Sequence, residues 1–425
     1  MTDKPKQLPS GKAICLVAPG NLASTPRIIK AADALSSAGF NVHVVAGRTF
    51  GLADKFDAAI LAQANWSCER IAFNRGVFGL GHRIERKVAR WLLRHRPTSH
   101  GLSTRAHHAG ITTLAKAAAR HRAALYYGHG GVAGLTIAAQ AAQRTNAIYG
   151  FDAEDWHEEE NTFVQTDSAE HSAVHNLLRS QLNKTAFITC ASPRIAEAYA
   201  QKYGVAPTCV LNVFPRSYAP LTRTAVPQPT AEQPAIFYWF SQTIGEGRGL
   251  EQFIATSAYM RTPVELHLRG FVSDSVRTDF QKLAEAAGRP NLLHFLPPAS
   301  PVEMIRLAAG SHLGLSLEQN LPRNRDLCLT NKIFTYLLAG VPVLMTPTTA
   351  QRELAAKLGS ASFLLDGSND QANAAMIDDW LAKDITTAAQ AAWKLGHECY
   401  NWDFEQSKLV DAVARALPHN KLNRD

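Results

Sequence analysis

No apolar run in this 425-residue chain approaches the roughly 20 residues that a membrane-spanning helix needs. The opening MTDKPKQLPSGK lacks the apolar core of a secretory signal, and the ICLVAP stretch that follows is short enough to read as a strand. A cytoplasmic location is the expectation. Cysteine is sparse: six residues, at positions 15, 68, 190, 209, 328 and 399, with no CxxC spacing. Buried reduced thiols fit that pattern better than a disulfide framework or a metal site. Short-period repeats and the GK[ST] of a phosphate-binding P-loop are also missing.

Acid is nearly absent from one stretch. Between Arg70 and Arg122 twelve Lys and Arg stand against a single acid, Glu85, so the net charge of +8 is concentrated there. Within it, residues 81–96 read GHRIERKVARWLLRHR. A helix here places Ile84, Val88, Trp91 and Leu92 on one face, with Arg83, Arg86, Lys87, Arg90 and Arg94 around it. One reading is adsorption to an anionic membrane surface, with Trp at the apolar border. The other is a helix packed on its own domain with a solvated basic face. Nucleic acid is not an expected partner, because no recognised reading motif accompanies the charge.

What the chain does have is alternation of apolar strand-like runs with helical patterns. In the first half the runs cover 13–19, 42–47, 68–73, 124–129, 147–152, 186–192 and 208–213. In the second they cover 235–241, 264–270, 292–298, 313–318, 342–347 and 362–366. Such runs joined by helical crossovers predict parallel sheets covered on both faces, an α/β fold. Between the halves, from Phe214 to Pro234, five prolines disfavour both helix and strand. The expected organisation is a Rossmann-like domain over 1–215, a linker over 216–233, a second Rossmann-like domain over 234–400 facing the first across a cleft, and a closing segment over 401–425.

Open parallel sheets bind ligands beyond the carboxyl ends of their strands, so the loops there are the candidates. The first, PGNLASTPRI, contains Gly20, Ser24, Thr25 and Arg27. Pro26 suits a first helical turn, and Ser24 or Thr25 could cap a helix whose amides attract an anion. His129 ends a strand before a glycine-rich turn, as either a cleft residue or a satisfied core histidine. Residues 149–160, YGFDAEDWHEEE, crowd Asp152, Glu154, Asp155, His157 and Glu158. Like-charge crowding raises some carboxyl pKa values and suits acid–base work or hydroxyl contacts; a divalent metal lacks support in the ligand spacing, and an acidic first helical turn is the plain alternative. In the second half FSQTIGEGRGL offers Gln242, Gly247 and Arg248 to a diphosphate, although its GxGxG is too short for the dinucleotide fingerprint. The richest stretch is Gly314–Thr346, where Glu318, Asn320, Arg323, Asn324, Arg325, Asn331 and Lys332 lie between a strand and an apolar helix ending at Gly340. Carboxylate, amides and cations together suit a ligand carrying hydroxyls and phosphates.

Taken in order, these segments resemble the retaining glycosyltransferases of the GT-B fold, in the broad family 4 group, over nearly the whole length. TPRIIKAADALSSAGFNVHVV is similar to that family's first helix and second strand. FDAEDWHEEE stands in the place of its acidic segment, SQTIGEGRGLEQFI in that of its phosphate turn, and TNKIFTYLLAGVPVL in that of its NK…F…Y…AG(V/L)P block. The terminal YNWDFE resembles its closing Trp-containing segment, after which a helix crosses back onto the first domain.

The resemblance implies a nucleotide-sugar donor on the second domain and a lipid-linked or glycan acceptor over the first. Arg248 and Lys332 would bind the diphosphate, assisted by Gln242, Gly247 and Asn331, and Glu318 would contact the donor sugar. Transfer on one face of the sugar, with the leaving diphosphate helping to deprotonate the acceptor, leaves positioning and electrostatics to the protein. No cofactor and no metal are implied. Two departures stand out: Thr335 replaces the second acid of the family's Glu-x7-Glu pair, with a longer loop after Glu318, and Glu154, followed by Asp155, replaces the sugar-contacting histidine. They leave a non-catalytic scaffold subunit, or a nucleotide-sugar epimerase, as alternatives to an active bacterial surface-glycan transferase.

Overall fold

A computed structural model describes residues 11–49, 53–73, 76–96, 98–160, 168–367, 369–383 and 385–417. It divides into two compact units. The first takes in residues up to Val210 together with Gln406 onward, and the second runs from Leu211 to Glu405. Among the described residues no helix is long and apolar enough to cross a membrane.

The first unit is built on β1 (Ala13–Ala18), β2 (Asn41–Gly47), β3 (Ser67–Ile71), β4 (Leu125–Gly128), β5 (Ile148–Ala153), β6 (Phe187–Cys190) and β7 (Thr208–Cys209). They form one parallel sheet in the order β3-β2-β1-β4-β5-β6-β7. The second unit carries β8 (Ala235–Thr243), β9 (Val264–Phe271), β10 (Leu293–Leu296), β11 (Leu313–Ser316), β12 (Val343–Met345) and β13 (Ser362–Leu364). Their parallel order is β10-β9-β8-β11-β12-β13. Ile14 through Ala18 are wholly buried, as expected of a central parallel strand covered on both faces. The order reverses between β1 and β4 in the first sheet and between β8 and β11 in the second. At such switch points the loops diverge and leave room for a ligand.

Close packing at the first switch point depends on glycine. A Cβ on Gly128 would stand 2.4 Å from the Gly134 carbonyl oxygen, and one on Gly134 would stand 1.9 Å from that of His129. Without them the helix Gly131–Thr145 could not lie so near the end of β4.

The Pro-rich stretch is fastened to the second unit: the His312 ring Nε2 donates to the Pro227 carbonyl (3.1 Å), and Gln228 Nε2 donates to the carbonyls of Leu381 and Lys383. Two expectations need correction. All six cysteines are free, yet only Cys15 and Cys190 are buried and Cys399 is exposed.

The basic helix, Gly76–His95, does not pack through the predicted apolar face. Ala89 and Leu93 form its inner face, against Ala106, Ala169 and Ala173. Ile84, Val88 and Trp91 are left 56%, 49% and 58% exposed, and Leu92 is half-buried.

Candidate functional site

At the first switch point the loop after β1 is held by an asparagine and an aspartate that the motifs did not single out. Asn21 Nδ2 donates to Asp57 Oδ2 (2.9 Å), and Asn21 Oδ1 accepts from the Thr49 amide (3.1 Å) and hydroxyl (3.0 Å). The Ala23 amide donates to Asp57 Oδ1 at 2.9 Å. Gly20 is half-buried in this loop. Pro26 opens the helix Pro26–Ser37, but neither Ser24 nor Thr25 caps it. Both hydroxyls donate instead to the Asn21 carbonyl, at 2.7 and 3.4 Å. The amides of the first turn therefore have no side-chain cap.

Arg27 is turned inward onto β5. Its Nε and Nη2 donate to the two oxygens of Asp152 at 2.7 Å each, and Nη1 donates to the Val210 carbonyl at 3.0 Å. Thr189 Oγ1 donates to the same carboxylate at 2.6 Å. Both ion-pair partners are almost completely buried. Burial pushes the Asp152 carboxyl up, but the Arg27 guanidinium and the His129 ring outweigh it and hold the group well below the carboxylate range. His129 lies at 1% exposure, with Nδ1 3.2 Å from Asp152 Oδ2. Its Nε2 is buried without a hydrogen-bond partner among the described residues. Burial also lowers the His129 pKa, with Asp152 opposing and Arg27 assisting, so the ring is neutral at physiological pH.

The acidic segment resolves its crowding mostly by pairing. Glu158 binds Lys202 (2.5 Å), His175 (3.0 Å) and the Tyr203 hydroxyl, which hold its pKa down against burial. His157 Nδ1 meets Glu160 at 3.0 Å; burial lowers the His157 pKa, yet Glu160, Asp155 and Glu154 raise it overall. Its Nε2, like that of His129, is buried without a partner among the described residues.

Glu154 is the exception among the carboxylates. Burial, reinforced by Asp155 and Asp152, pushes its carboxyl up to about 7, while Arg27 and Lys30 oppose. Lys30 goes the other way, down to about 7, through burial and the neighbouring Arg27. Lys30 gave no signal in the sequence, since it is one basic residue in an amphipathic helix. Among the described residues the segment gathers no three ligand atoms at metal-site spacing.

At the second switch point two loops are fastened together. Gly249 has φ +78°, and a Cβ there would lie 2.4 Å from the Leu317 carbonyl oxygen. Arg325 Nη1 donates to the Gly247 carbonyl at 2.6 Å, and the Gly247 amide donates to Glu251 Oε1 at 2.7 Å. Gln242 and Arg248 are exposed, and no acid pairs with Arg248 among the described residues.

Across from this turn, Lys332 Nζ donates to Glu318 Oε1 at 3.2 Å and lies 5.7 Å from the centroid of the Trp239 ring. Lys332 is 8% exposed, in the first turn of the helix Asn331–Ala339, which lacks a side-chain cap and closes at Gly340 with φ +74°. Asn331 beside it is half-buried. Thr335 is fully buried, and its hydroxyl, like those of Ser316 and Thr330, has no partner among the described residues. Thus Glu318, Lys332, Arg325 and the glycine turn come together, whereas Trp239 and Ser316 join them only through the fold.

Two Rossmann-like parallel sheets with a long C-terminal helix, Trp402–Ala416, define the GT-B fold. Solved structures bear this out over the full length. The structure of HepE from Anabaena in complex with UDP and glucose matches with a TM-score of 0.68 at 15% identity, covering 95% of this chain and 99% of HepE. A glycosyltransferase from Rickettsia africae matches at 0.69 and 13% identity, covering 96% and 99%. WaaG, a glycosyltransferase involved in lipopolysaccharide biosynthesis, matches at 0.58 and 13%, covering 95% and 99%. No protein-family model matches the chain, and no curated protein matches it in sequence.

Proposed function

We propose that the protein is a retaining glycosyltransferase that moves a sugar from a nucleotide-sugar donor to a lipid-linked or polysaccharide acceptor in bacterial cell-surface glycan assembly. The observation that carries this reading is the joining of Lys332, Glu318 and the Gly247–Gly249 turn at the switch point of the second sheet. Lys332, the uncapped amides of its helix and Arg248 suit a diphosphate, and Glu318 suits sugar hydroxyls. Gln242 and Asn331 are assigned to the same donor, and Thr335 to the place of the missing ribose acid. Because HepE holds UDP and glucose, or UDP-glucose, UDP-hexoses are the first donors to try.

In the first unit, His129 Nε2, His157 Nε2 and the protonatable Glu154 with Asp155 are assigned to acceptor hydroxyls. The uncapped helix end beside Gly20, Ser24 and Thr25 would take an acceptor phosphate, while Arg27 and Asp152 hold these groups in place. Transfer on one face of the sugar lets the departing diphosphate take the acceptor proton. Lys332 and Arg248 then stabilise the charge that develops on it.

Thermal denaturation with a panel of nucleoside diphosphates and their sugars tests the reading. A ligand at a hundred times its Kd should stabilise the fold by about 2.7 kcal/mol; stabilisation by none of the panel would overturn it. Thr335 and Glu154 favour a second reading, a non-catalytic scaffold subunit. Nucleotide binding without donor hydrolysis or transfer in membrane extracts would select that one.

The same proposal includes docking on an anionic membrane. Ile84, Val88 and Trp91 stand exposed at helical spacing, with exposed Arg83, Arg86 and Lys87 beside them, the pattern of an interfacial helix. Arg90 is engaged by Glu170 and the Ala106 carbonyl. Cosedimentation with vesicles containing phosphatidylglycerol should be lost on combining Arg86→Glu, Lys87→Glu and Trp91→Ala. Sedimentation unchanged by the triple substitution would refute the docking surface.

A further inference from the structure

Among the described residues, two groups of histidine and carboxylate bring three ligand atoms within 4.8 Å of one another: His43, Glu69 and His121 in the first unit, and Glu265, His267 and His294 in the second. Neither belongs to the candidate site. In the first group Arg120 Nη2 lies 2.5 Å from Glu69 Oε1, a cation already seated on the carboxylate. The rings of His43 and His121 are stacked, with centroids 3.4 Å apart and planes 26° apart. An imidazole lone pair lies in the ring plane, so near-parallel rings aim side by side and do not converge on one ion.

The second group is better built. Glu265 and His267 are two apart on β9 and so share a face, and His294 on β10 is the direct register partner of His267. The neighbouring Leu266, Leu268, Leu293 and Phe295 point the other way, into the core. His267 Nε2 lies 2.9 Å and His294 Nε2 3.6 Å from one and the same oxygen, Glu265 Oε2. The two rings are 5.0 Å apart and tilted by 54°. Ligands bound to zinc at about 2.0–2.1 Å in a tetrahedron stand about 3.3–3.4 Å apart, a spacing that the two observed distances bracket. No lysine or arginine pairs with Glu265 among the described residues, and His294 Nε2 is buried without a hydrogen-bond partner. All three side chains are partly exposed, which places the group at the surface of the sheet and not in its core.

We propose that Glu265, His267 and His294 bind a divalent transition-metal ion, zinc foremost, through two imidazole nitrogens and one carboxylate oxygen, with the fourth position open to water. Nitrogen-rich donors of this kind select zinc, cobalt or copper over magnesium, which prefers oxygen. β10 ends the sheet order, so the ion would tie an edge strand to its neighbour. Glu265 and His267 lie in the first half of β9, whereas the candidate donor residues follow strand carboxyl ends. The ion is therefore a clamp on the second unit, independent of sugar transfer.

The full chain, stripped with chelator and dialysed, should take up one equivalent of Zn2+ or Co2+. Its thermal midpoint should rise with Zn2+ and stay put with Mg2+. H294A and E265Q should each weaken Zn2+ binding by more than about 100-fold, beyond what partners orienting a ligand are worth, while H121A leaves it unchanged. Copper(II) EPR of the unaltered chain, which needs no variant to fold, should show coupling to two nitrogens. Absence of stoichiometric uptake, uptake that survives H294A and E265Q, or fewer than two coupled nitrogens overturns the site.

Discussion

Replacing Asp152 with asparagine should destabilise the first unit by about 3–5 kcal/mol, the range for a buried charge left without its partner. Arg27 would keep its positive charge at 5% exposure without its paired carboxylate. Thr189 could still donate to the amide oxygen, but Arg27 Nε and His129 Nδ1 would face an amide NH2 in place of a carboxylate oxygen. Denaturant unfolding monitored over the first unit measures the loss. Pairing Asp152→Leu with Arg27→Met should cost less than Asp152→Asn alone, because the stranded charge then disappears; an equal or larger cost would disprove the ion-pair account. The pH dependence has a definite sign. A carboxyl whose pKa is depressed on folding adds stability above its unfolded pKa, near 3.9, and loses it as pH falls through the lower folded value. The native protein should therefore lose this contribution only below about pH 4, and Asp152→Asn should remove that part of the acid sensitivity.

The second large effect is expected at Lys332. Lys332→Ala should weaken nucleoside-diphosphate binding by about 1.5–3 kcal/mol, the range for hydrogen bonds to charged groups, or roughly 10- to 150-fold. It should lower kcat as well if the ammonium steadies charge on the leaving diphosphate. Removing it also leaves Glu318 without its cation and the Trp239 ring without the ammonium over it, so some folding stability should go with it. Glu318→Gln separates the two contributions: it keeps Lys332 available to phosphate and should spare nucleotide binding while impairing sugar transfer. Calorimetry with the free diphosphate and with its sugar conjugate distinguishes the cases. Equal loss of both ligands in Glu318→Gln would place the carboxylate outside the sugar subsite.

The strands were legible in the sequence because buried parallel strands are apolar on both faces and read as unbroken runs, as Ile14–Ala18 do. The phosphate-suited turns were legible because glycine and cations interrupt those runs. What escaped was long-range or small. Asn21 and Asp57 are far apart in the chain, and no local pattern announces their bond. On the basic helix, the eye follows Ile84, Val88 and Trp91, yet packing is done by Ala89 and Leu93 against other alanines, where a small side chain permits close approach without a strong apolar signal. Ser24 and Thr25 read as caps, since hydroxyls before proline usually are, but the Asn21 carbonyl competes for them.

The contact between Gly249 and the Leu317 carbonyl reaches beyond local packing. It makes the Gly247–Gly249 turn and the start of the Glu318 loop a single rigid piece, so neither can lengthen at that point without breaking the other. The extra residues that separate Glu318 from Thr335 accordingly fall downstream, where the short helix Arg323–Leu327 sends Arg325 back to Gly247. Divergence among relatives should follow the same rule, with insertions tolerated after Glu318 and excluded before it. Under the proposed function, new donor preferences would then arise by remodelling the far side of a fixed hinge-free junction, leaving the proposed phosphate contacts unchanged.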